Sequence, residues 1–476
     1  MIVCLFSACG VGWGEGRYKA TWQSLDTRPL PTWYDEAKVG IFLHWGVFSV
    51  PSFGSEWFWQ HWKGGKKGNK YEAFMKKNYP PNFTYQDFGP QFTAEFYDGK
   101  EWARLFNASG ARYVVLTTKH HEGYTLWPSA HSFGWNSLDV GPNRDLLGEL
   151  AYSLRSLVPH IHLGVYHSLY EWYNPLYLKD KANLFLSNDF VTQKTLPELY
   201  ELVNLYRPDV IWSDGDWEAL DKYWKATDFL AWLFNDSPVN QTVVVNDRWG
   251  AGIPCHHGSF YTCQDNYNPG VAQPHKWENC LPVDAHSWGY RREAKLADLH
   301  SIHELLTQLA MTISCGGNIL INVGPRHDGT IAPVMEERLR QMGSWLDING
   351  EAIYGSKPWK HQNDTLTPAV WYTSKGDTVY AIVLHWPKES VLSLASVKIT
   401  PQTHISMLGY TATSHSLHVQ DPELKEGVNV IFPSMADISS QWAWVLAMKD
   451  VQPGPNAPVP LATMSKPNPD TPQARP

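Results

Sequence analysis

The chain has 476 residues, 43% of them apolar, enough to bury one large core and a smaller second one, which excludes a disordered polypeptide. Its formal charge is −8 and neither sign clusters, so it lacks both the electrostatic attraction of a nucleic-acid binder and the basic patch of a membrane-surface binder. After the first residues no stretch approaches the about 18 uninterrupted apolar residues of a membrane span.

Residues 1–16, MIVCLFSACGVGWGEG, read as the apolar part of a signal peptide, although a basic start is missing. Sequons at Asn82, Asn107, Asn235, Asn240 and Asn363 fit passage through the secretory pathway, with Pro238 placed directly after the Asn235 sequon. Beyond the leader only Cys255, Cys263, Cys280 and Cys315 remain, too few for a disulfide framework. Cys255 and Cys263 are the nearest pair.

Between about residues 21 and 350, β-rich runs alternate with helical patterns. Strands are expected at 39–46, 111–121, 161–169, 209–215, 242–250, 258–265 and 316–325, and helices at 99–108, 145–157, 196–205, 219–234, 300–314 and 332–346. This is an α/β pattern, and it predicts a (β/α)8-like TIM barrel, irregular on one side. No Gly-rich phosphate fingerprint follows any strand, which speaks against an open dinucleotide-binding sheet. Polar residues gather at the C-terminal strand ends, where a barrel keeps its chemistry. Residues 355–450 switch to short alternating runs, the pattern of a C-terminal antiparallel β-sandwich. Residues 451–476 are Pro-rich and read as a disordered tail.

In DVIWSDG (209–215), strand alternation puts Val210, Trp212 and Asp214 on one face. If that face lines the barrel, Asp214 points into the mouth with Trp212 beneath it, where a carboxylate can attack an anomeric carbon. An Asp that merely caps the next turn would look the same. Other strand ends tilt the balance. FLHWG contributes His44 and Trp45, TTKHHEG contributes Lys119, His120, His121 and Glu122, and VYHSLYEW contributes Tyr166, His167 and Glu171. VNDRWG adds Asp247, Arg248 and Trp249, and SEWFW adds Glu56 and Trp57. Imidazoles, an indole and a guanidinium around one carboxylate can bind several hydroxyls while stacking on a sugar face. A second carboxylate is required to protonate the leaving oxygen, and both Asp265 and Glu278 qualify: Asp265 ends an expected strand, whereas Glu278 lies beside Trp277 in a partly apolar stretch. A metal-dependent barrel hydrolase is the rival, since His44, His120, His121, His167 and Asp214 could be ligands. Adjacent histidines suit one ion poorly, no His-x-His or His-Glu-x-x-His spacing occurs, and neither metal nor cofactor is expected. A non-catalytic protein that binds a sugar in the same pocket is the second rival.

In this order FLHWG, SEWFW, TTKHHEG, WSDGDW, VVVNDRWG, HKWENC and SWGYRR resemble the α-L-fucosidases of glycoside hydrolase family 29, above all the animal tissue and plasma enzymes. The resemblance implies a retaining exo-glycosidase that removes terminal α-L-fucose from glycoproteins, glycolipids or oligosaccharides. Asp214 matches the nucleophile, and His44, Glu56, Trp57, His120, His121, Tyr166, Trp212 and Arg248 match fucose contacts. Trp288 of SWGYRR matches a wall for the sugar's methyl group. Both proposed positions of the family's acid/base fall on carboxylates here, and the likeness to the animal enzymes favours Asp265. The signature from Pro269 to Cys280 departs from the family at Ala272, usually Leu. A homo-oligomer, a tetramer by family precedent, and a secreted or lysosomal location are likewise implied. For His120 and His121 to touch one sugar, a bulge or strand end is needed there.

Overall fold

The computed structural model describes residues 16–411, 416–420 and 427–454. The expected leader, apart from Gly16, and the expected tail beyond residue 454 lie outside them.

The barrel strands are β1 (Val39–Leu43), β2 (Tyr113–Lys119), β3 (His162–Ser168), β4 (Val210–Asp214), β5 (Val244–Val245), β6 (Glu278–Pro282) and β7 (Asn318–Val323). They form one curled parallel sheet in the order β5-β4-β3-β2-β1-β7-β6. Apart from the first residue of β3, every strand position is buried, because side chains of one parity fill the barrel and those of the other meet the helices. Phe42, Tyr166, Val210, Trp212, Phe260, Cys280 and Leu320 form the inner cluster. Gly40 belongs to this packing, since a Cβ there would meet the Tyr113 ring at 2.5 Å.

The barrel closes irregularly. Instead of an eighth strand, Ser259 and Phe260 donate to the Val245 carbonyl, while Tyr261 bridges to Trp277 through bonds with Lys276 and Glu278. The strand expected at 258–265 is therefore a stub, and a strand absent from the expectation, β6, takes the neighbouring place. The reason lies in Asp247, whose carboxylate accepts from the N–H groups of Cys255, Thr262 and Cys263. A side chain has captured the amides that a ladder would use. The same substitution shortens β5. Asn246 Oδ1 accepts from Ser213 N–H at 3.0 Å and its Nδ2 donates to Ser213 O at 2.8 Å, so an amide side chain replaces a main-chain pair. Cys255 and Cys263 form a disulfide across this loop, and among the described residues the free cysteines Cys280 and Cys315 are buried.

Helices run at Gly99–Ala108, Leu146–Leu157, Leu196–Tyr206, Ile302–Ser314 and Pro333–Asn349, close to expectation. Asp98, Asp145 and a Ser301–Glu304 capping box fix three of the starts. The helix expected at 219–234 is broken at Lys225, whose φ of 52° is left-handed, into Asp221–Trp224 and Ala226–Asn235.

The C-terminal strands are β8 (Lys357–Asn363), β9 (Val370–Lys375), β10 (Thr378–Val383), β11 (Val391–Leu394), β12 (Val397–Lys398), β13 (His404–Met407), β14 (Val419–Gln420), β15 (Val428–Ile431), β16 (Trp444–Lys449) and β17 (Gln452–Pro453). An antiparallel sheet in the order β13-β16-β10-β9-β8 faces a smaller β11-β15-β14 sheet across a core that includes Tyr372, Ala381, Leu392, Val430 and Leu446. Trp345 of the last barrel helix donates to Ala443 O and so ties the two cores together.

Candidate active site

Asp214 ends β4 at the mouth of the barrel, and each of its oxygens has one strong donor. Tyr166 O–H reaches Oδ2 at 2.8 Å and Arg248 Nη1 reaches Oδ1 at 3.1 Å. Only 12% of the Asp214 side chain is exposed. Arg248 lies 4.6 Å over the Trp212 ring, and Tyr166 stacks on the same indole at 5.7 Å. Arg248 Nη2 continues to Asp265 Oδ1 at 2.6 Å, and its Nε donates to Thr262 Oγ1. One guanidinium thus holds two carboxylates, one sheltered and one 40% exposed. Burial works against the cation, but Asp265 and Asp214 outweigh it and hold Arg248 protonated well above its usual range.

His44 and His121 are neutral acceptors. Burial, followed by the neighbouring His120, drives the basicity of His44 and of His121 well below the ordinary imidazole range. Asn322 orients the first. Its Nδ2 donates to Trp288 O at 2.7 Å, so its Oδ1 faces His44 Nδ1, also at 2.7 Å, and the proton sits on Nδ1. His44 Nε2 is left to accept a hydroxyl. Similarly, Ser168 Oγ gives its proton to Tyr170 O and accepts from His121 Nδ1 at 2.7 Å. This leaves His121 Nε2 unprotonated, 3.7 Å from Asp214 Oδ2. The needed irregularity is present: the β2–β3 register slips between Thr117 and Lys119, and the strand ends there. His120 and His121 come within 4.0 Å, ring to ring, and His120 stacks parallel to Tyr166 at 5.8 Å.

The rim is aromatic. Trp288 lies 5.2 Å from His44, and Trp57 stands edge-on to His121 at 5.3 Å. Glu56 Oε2 accepts from Ser287 Oγ and from the N–H groups of Trp288 and Gly289, while Oε1 carries none of these bonds. Trp217 and Trp172, both bracketing Trp57, were not singled out in the sequence, nor was Asn322. Trp217 closes the WSDGDW motif, and its spacing from Asp214 was the available signal.

Glu278 is elsewhere. It begins β6 at the opposite, N-terminal end of the barrel and is fully buried. Its Oε2 accepts from Tyr34 at 2.7 Å and Tyr113 at 2.6 Å, and its Oε1 accepts from Trp212 Nε1 at 3.0 Å. Burial pushes its acidity down, raising the pKa against the pull of those three donors. Cys280, two residues on, is also fully buried in the inner cluster.

Several residues expected at the rim point away from it, among them Trp45, packed on Tyr97 and Trp102, and Trp249, packed on Phe229. Lys119 Nζ lies between Glu171 and Glu198, at 3.0 and 2.8 Å, and His167 Nε2 meets the same Glu198 at 3.0 Å. With Lys194 they form a buried charge network behind the sheet, since the strand-end slip sends Lys119 outward while the histidines turn in. Among the described residues no three His, Cys, Asp or Glu side chains converge to hold a metal ion.

Asp216 is a further acid that sequence reasoning passed over. It is buried, its Oδ2 accepts from Gly250 N–H at 3.0 Å, and burial followed by the nearby Asp214 raises its pKa to about 7. A folded value above the ordinary 3.8 means the native state holds the proton more tightly. Its stabilising contribution is then full below about pH 4 and is lost as the pH climbs towards about 7. Asp216→Asn keeps the Gly250 acceptor without the charge. Relative to wild type, the variant should gain on the order of 4 kcal/mol between pH 4 and 7.5. Thermal midpoints at both pH values measure it, and a constant difference rejects the assignment.

Of the sequons, Asn82 and Asn107 are exposed, and Asn240 and Asn363 are half-buried. The Asn235 amide is occupied: Nδ2 donates to Tyr18 O and Ala231 O, and Oδ1 accepts from Tyr18 N–H. Among the described residues no helix is long and apolar enough to cross a membrane.

The α-L-fucosidase family model matches residues 5–351, and the model of the α-L-fucosidase C-terminal domain matches residues 362–449. An α-L-fucosidase of Branchiostoma floridae is 57% identical over 453 residues, covering 95% of this chain and 99% of that protein. The plasma α-L-fucosidase of Homo sapiens is 54% identical over 91% of this chain and 93% of its own length. Among solved structures, the Thermotoga maritima α-fucosidase in complex with a mechanism-based inhibitor superposes with a TM-score of 0.78 at 31% identity, covering 91% of this chain and all of that one. The two matched regions together take in the barrel and the β-sandwich, and the identity runs over nearly the whole chain: this chain belongs to the α-L-fucosidase family of glycoside hydrolases.

Proposed function

We propose that this chain hydrolyses terminal α-L-fucose from glycoproteins, glycolipids or oligosaccharides with retention of configuration, Asp214 acting as nucleophile and Asp265 as acid/base. The observation that carries this reading is the Arg248 fork, which holds one oxygen of each carboxylate. A single planar fork keeps the two groups close, in keeping with the about 5–5.5 Å of retaining enzymes rather than the about 6.5–9.5 Å that admits a water.

Asp214 attacks the anomeric carbon as Asp265 gives its proton to the departing oxygen; Asp265 then takes a proton from water, which releases fucose from the Asp214 ester. Tyr166 and Arg248 hold the Asp214 carboxylate in place. The more open side chain of Asp265 supports a group that must exchange protons with water in each cycle. Glu278, sealed among three donors at the other end of the barrel, lacks such access. His44, His120, His121 and Glu56 bind the sugar hydroxyls, Trp212 and Trp57 line the ring, and Trp288 faces the methyl group. Likeness to a plasma enzyme and the exposed sequons support a secretory-pathway location. Assembly as a homo-oligomer is part of the same reading.

Proton NMR of the first product, read before mutarotation, tests the mechanism. Retention predicts α-L-fucose first. The β-anomer first would mean single displacement, and binding without any product would mean a lectin-like protein.

A further inference from the structure

The TTKHHEG stretch at the end of β2 carries a carboxylate, Glu122, to which the chemistry above gives no part. His120, His121, Glu122 and Gly123 form a turn, closed by the Gly123 N–H on the His120 carbonyl at 3.0 Å. Gly123 has a φ of 82°, and a Cβ there would meet the Glu171 carboxyl carbon at 2.8 Å, so this corner requires glycine. The Trp135 indole donates to the Glu122 carbonyl at 3.0 Å and pins the turn. Its shape brings the Glu122 side chain back to His120.

Glu122 Oε2 lies 3.3 Å from His120 Nδ1, and the two side chains are only 1% and 3% exposed. Among the described residues no hydrogen bond reaches either Glu122 oxygen or His120 Nδ1, and no lysine or arginine pairs with this carboxylate. Each is the contact left to the other. Gly46 makes the room, since a Cβ there would stand 3.0 Å from Glu122 Oε1. A buried carboxylate is costly unless paired, and in its ionised form it can only accept, so the ring proton between them belongs on Nδ1. Contacts of this length in an empty site tighten when substrate fills it.

The neighbouring histidines show what such a partner does. Asn322 fixes Nδ1 of His44 and Ser168 fixes that of His121, which leaves each Nε2 to the pocket. His120 lies beside both, its ring 5.9 Å from that of His44 and 4.0 Å from that of His121, and among the described residues its Nε2 is neither hydrogen-bonded nor sealed. Phe48, Tyr166 and Trp172 surround the imidazole with aromatic rings, which confine it without choosing which nitrogen faces the pocket. We propose that Glu122 is the positioning residue for His120: its carboxylate holds Nδ1 and thereby turns Nε2 to a hydroxyl of the fucose. The inference rests on the sugar contact that the functional reading gives to His120.

The test sets variants against 4-nitrophenyl α-L-fucoside and its 2-, 3- and 4-deoxy analogues. Glu122→Leu keeps the bulk and removes the acceptor, and it should lower kcat/KM on the parent fucoside about 10²-fold, the scale for a displaced binding group. His120→Ala identifies the deoxy analogue that lacks the hydroxyl held by His120, as the one on which that variant loses nothing further. There the Glu122→Leu loss should shrink to within about threefold, and on the parent it should add nothing to the loss of His120→Ala. Glu122→Gln, which returns an oxygen to Nδ1, should recover to within about fivefold of wild type. Glu122→Ala takes the place of the leucine variant if that one does not fold. An equal loss on all four substrates, full additivity with His120→Ala, no loss at all, or a glutamine variant as impaired as the leucine one overturns the positioning role. So does a His120→Ala loss that spares none of the deoxy analogues. A wild-type chain that leaves the parent fucoside intact overturns the functional reading itself.

Discussion

Asp214→Gly is expected to lower hydrolysis by about 10⁴–10⁶-fold, the scale on which enzymes lose rate when the nucleophile of a covalent mechanism is removed. What remains around the vacancy makes the variant informative. Arg248 keeps Asp265 and Thr262 as partners, so its charge stays compensated, and Tyr166 stays stacked on Trp212. The pocket therefore survives, short of one anion. Azide fits that space and can attack the anomeric carbon from the face Asp214 would have used. With an activated leaving group it should restore part of the rate and yield the β-L-fucosyl azide, one inversion in place of two. Asp214→Asn, which keeps an acceptor for Tyr166, serves as a folding control by near-ultraviolet circular dichroism. Wild-type turnover in Asp214→Gly, or an α-configured azide product, would remove Asp214 from the mechanism.

The sequence made the regular half of this barrel legible and left the irregular half obscure. Periodicity located β1 to β4, and alternation in DVIWSDG put Val210, Trp212 and Asp214 on one face; the structure turns that face inward, with Val210 and Trp212 in the inner cluster and Asp214 bonded to Tyr166. It failed between residues 242 and 282, where side chains usurp the backbone's bonds. Asn246 stands in for a β4–β5 pair, and Asp247 collects three amides of the loop. Neither substitution leaves a periodic trace, so a strand was expected at 258–265 and none at 278–282. The rim showed the same division. Residue types pointed to sugar chemistry, but separating His120 and His121 from Lys119 and His167 depended on a one-residue slip in β2. Likewise, the partly apolar stretch around Glu278 made it a candidate acid, and burial does raise its pKa. The stretch could not say that the carboxyl lies at the opposite end of the barrel from Asp214.

That separation leads to the sharpest comparison between two variants. Asp265→Ala should reduce hydrolysis of natural fucosides by about 10²–10⁴-fold, the usual worth of a general acid. The same variant should lose less than about tenfold on a dinitrophenyl fucoside, whose leaving group needs no proton, because Asp214 attack is untouched. Deglycosylation then limits, and added azide should relieve it. Glu278→Ala should behave differently. It strands the hydroxyls of Tyr34 and Tyr113 and the indole N–H of Trp212, each at a cost of about 1–3 kcal/mol. Trp212 carries both the Arg248 and the Tyr166 stacking contacts, so the disturbance reaches the pocket as a loss of geometry and not of a proton. The expected signature is a lowered thermal midpoint and an equal fractional loss on both substrates. If leaving-group dependence instead appears in Glu278→Ala and is missing in Asp265→Ala, the proton enters from Glu278, and a carboxyl sealed in the fold would have to open during each turnover.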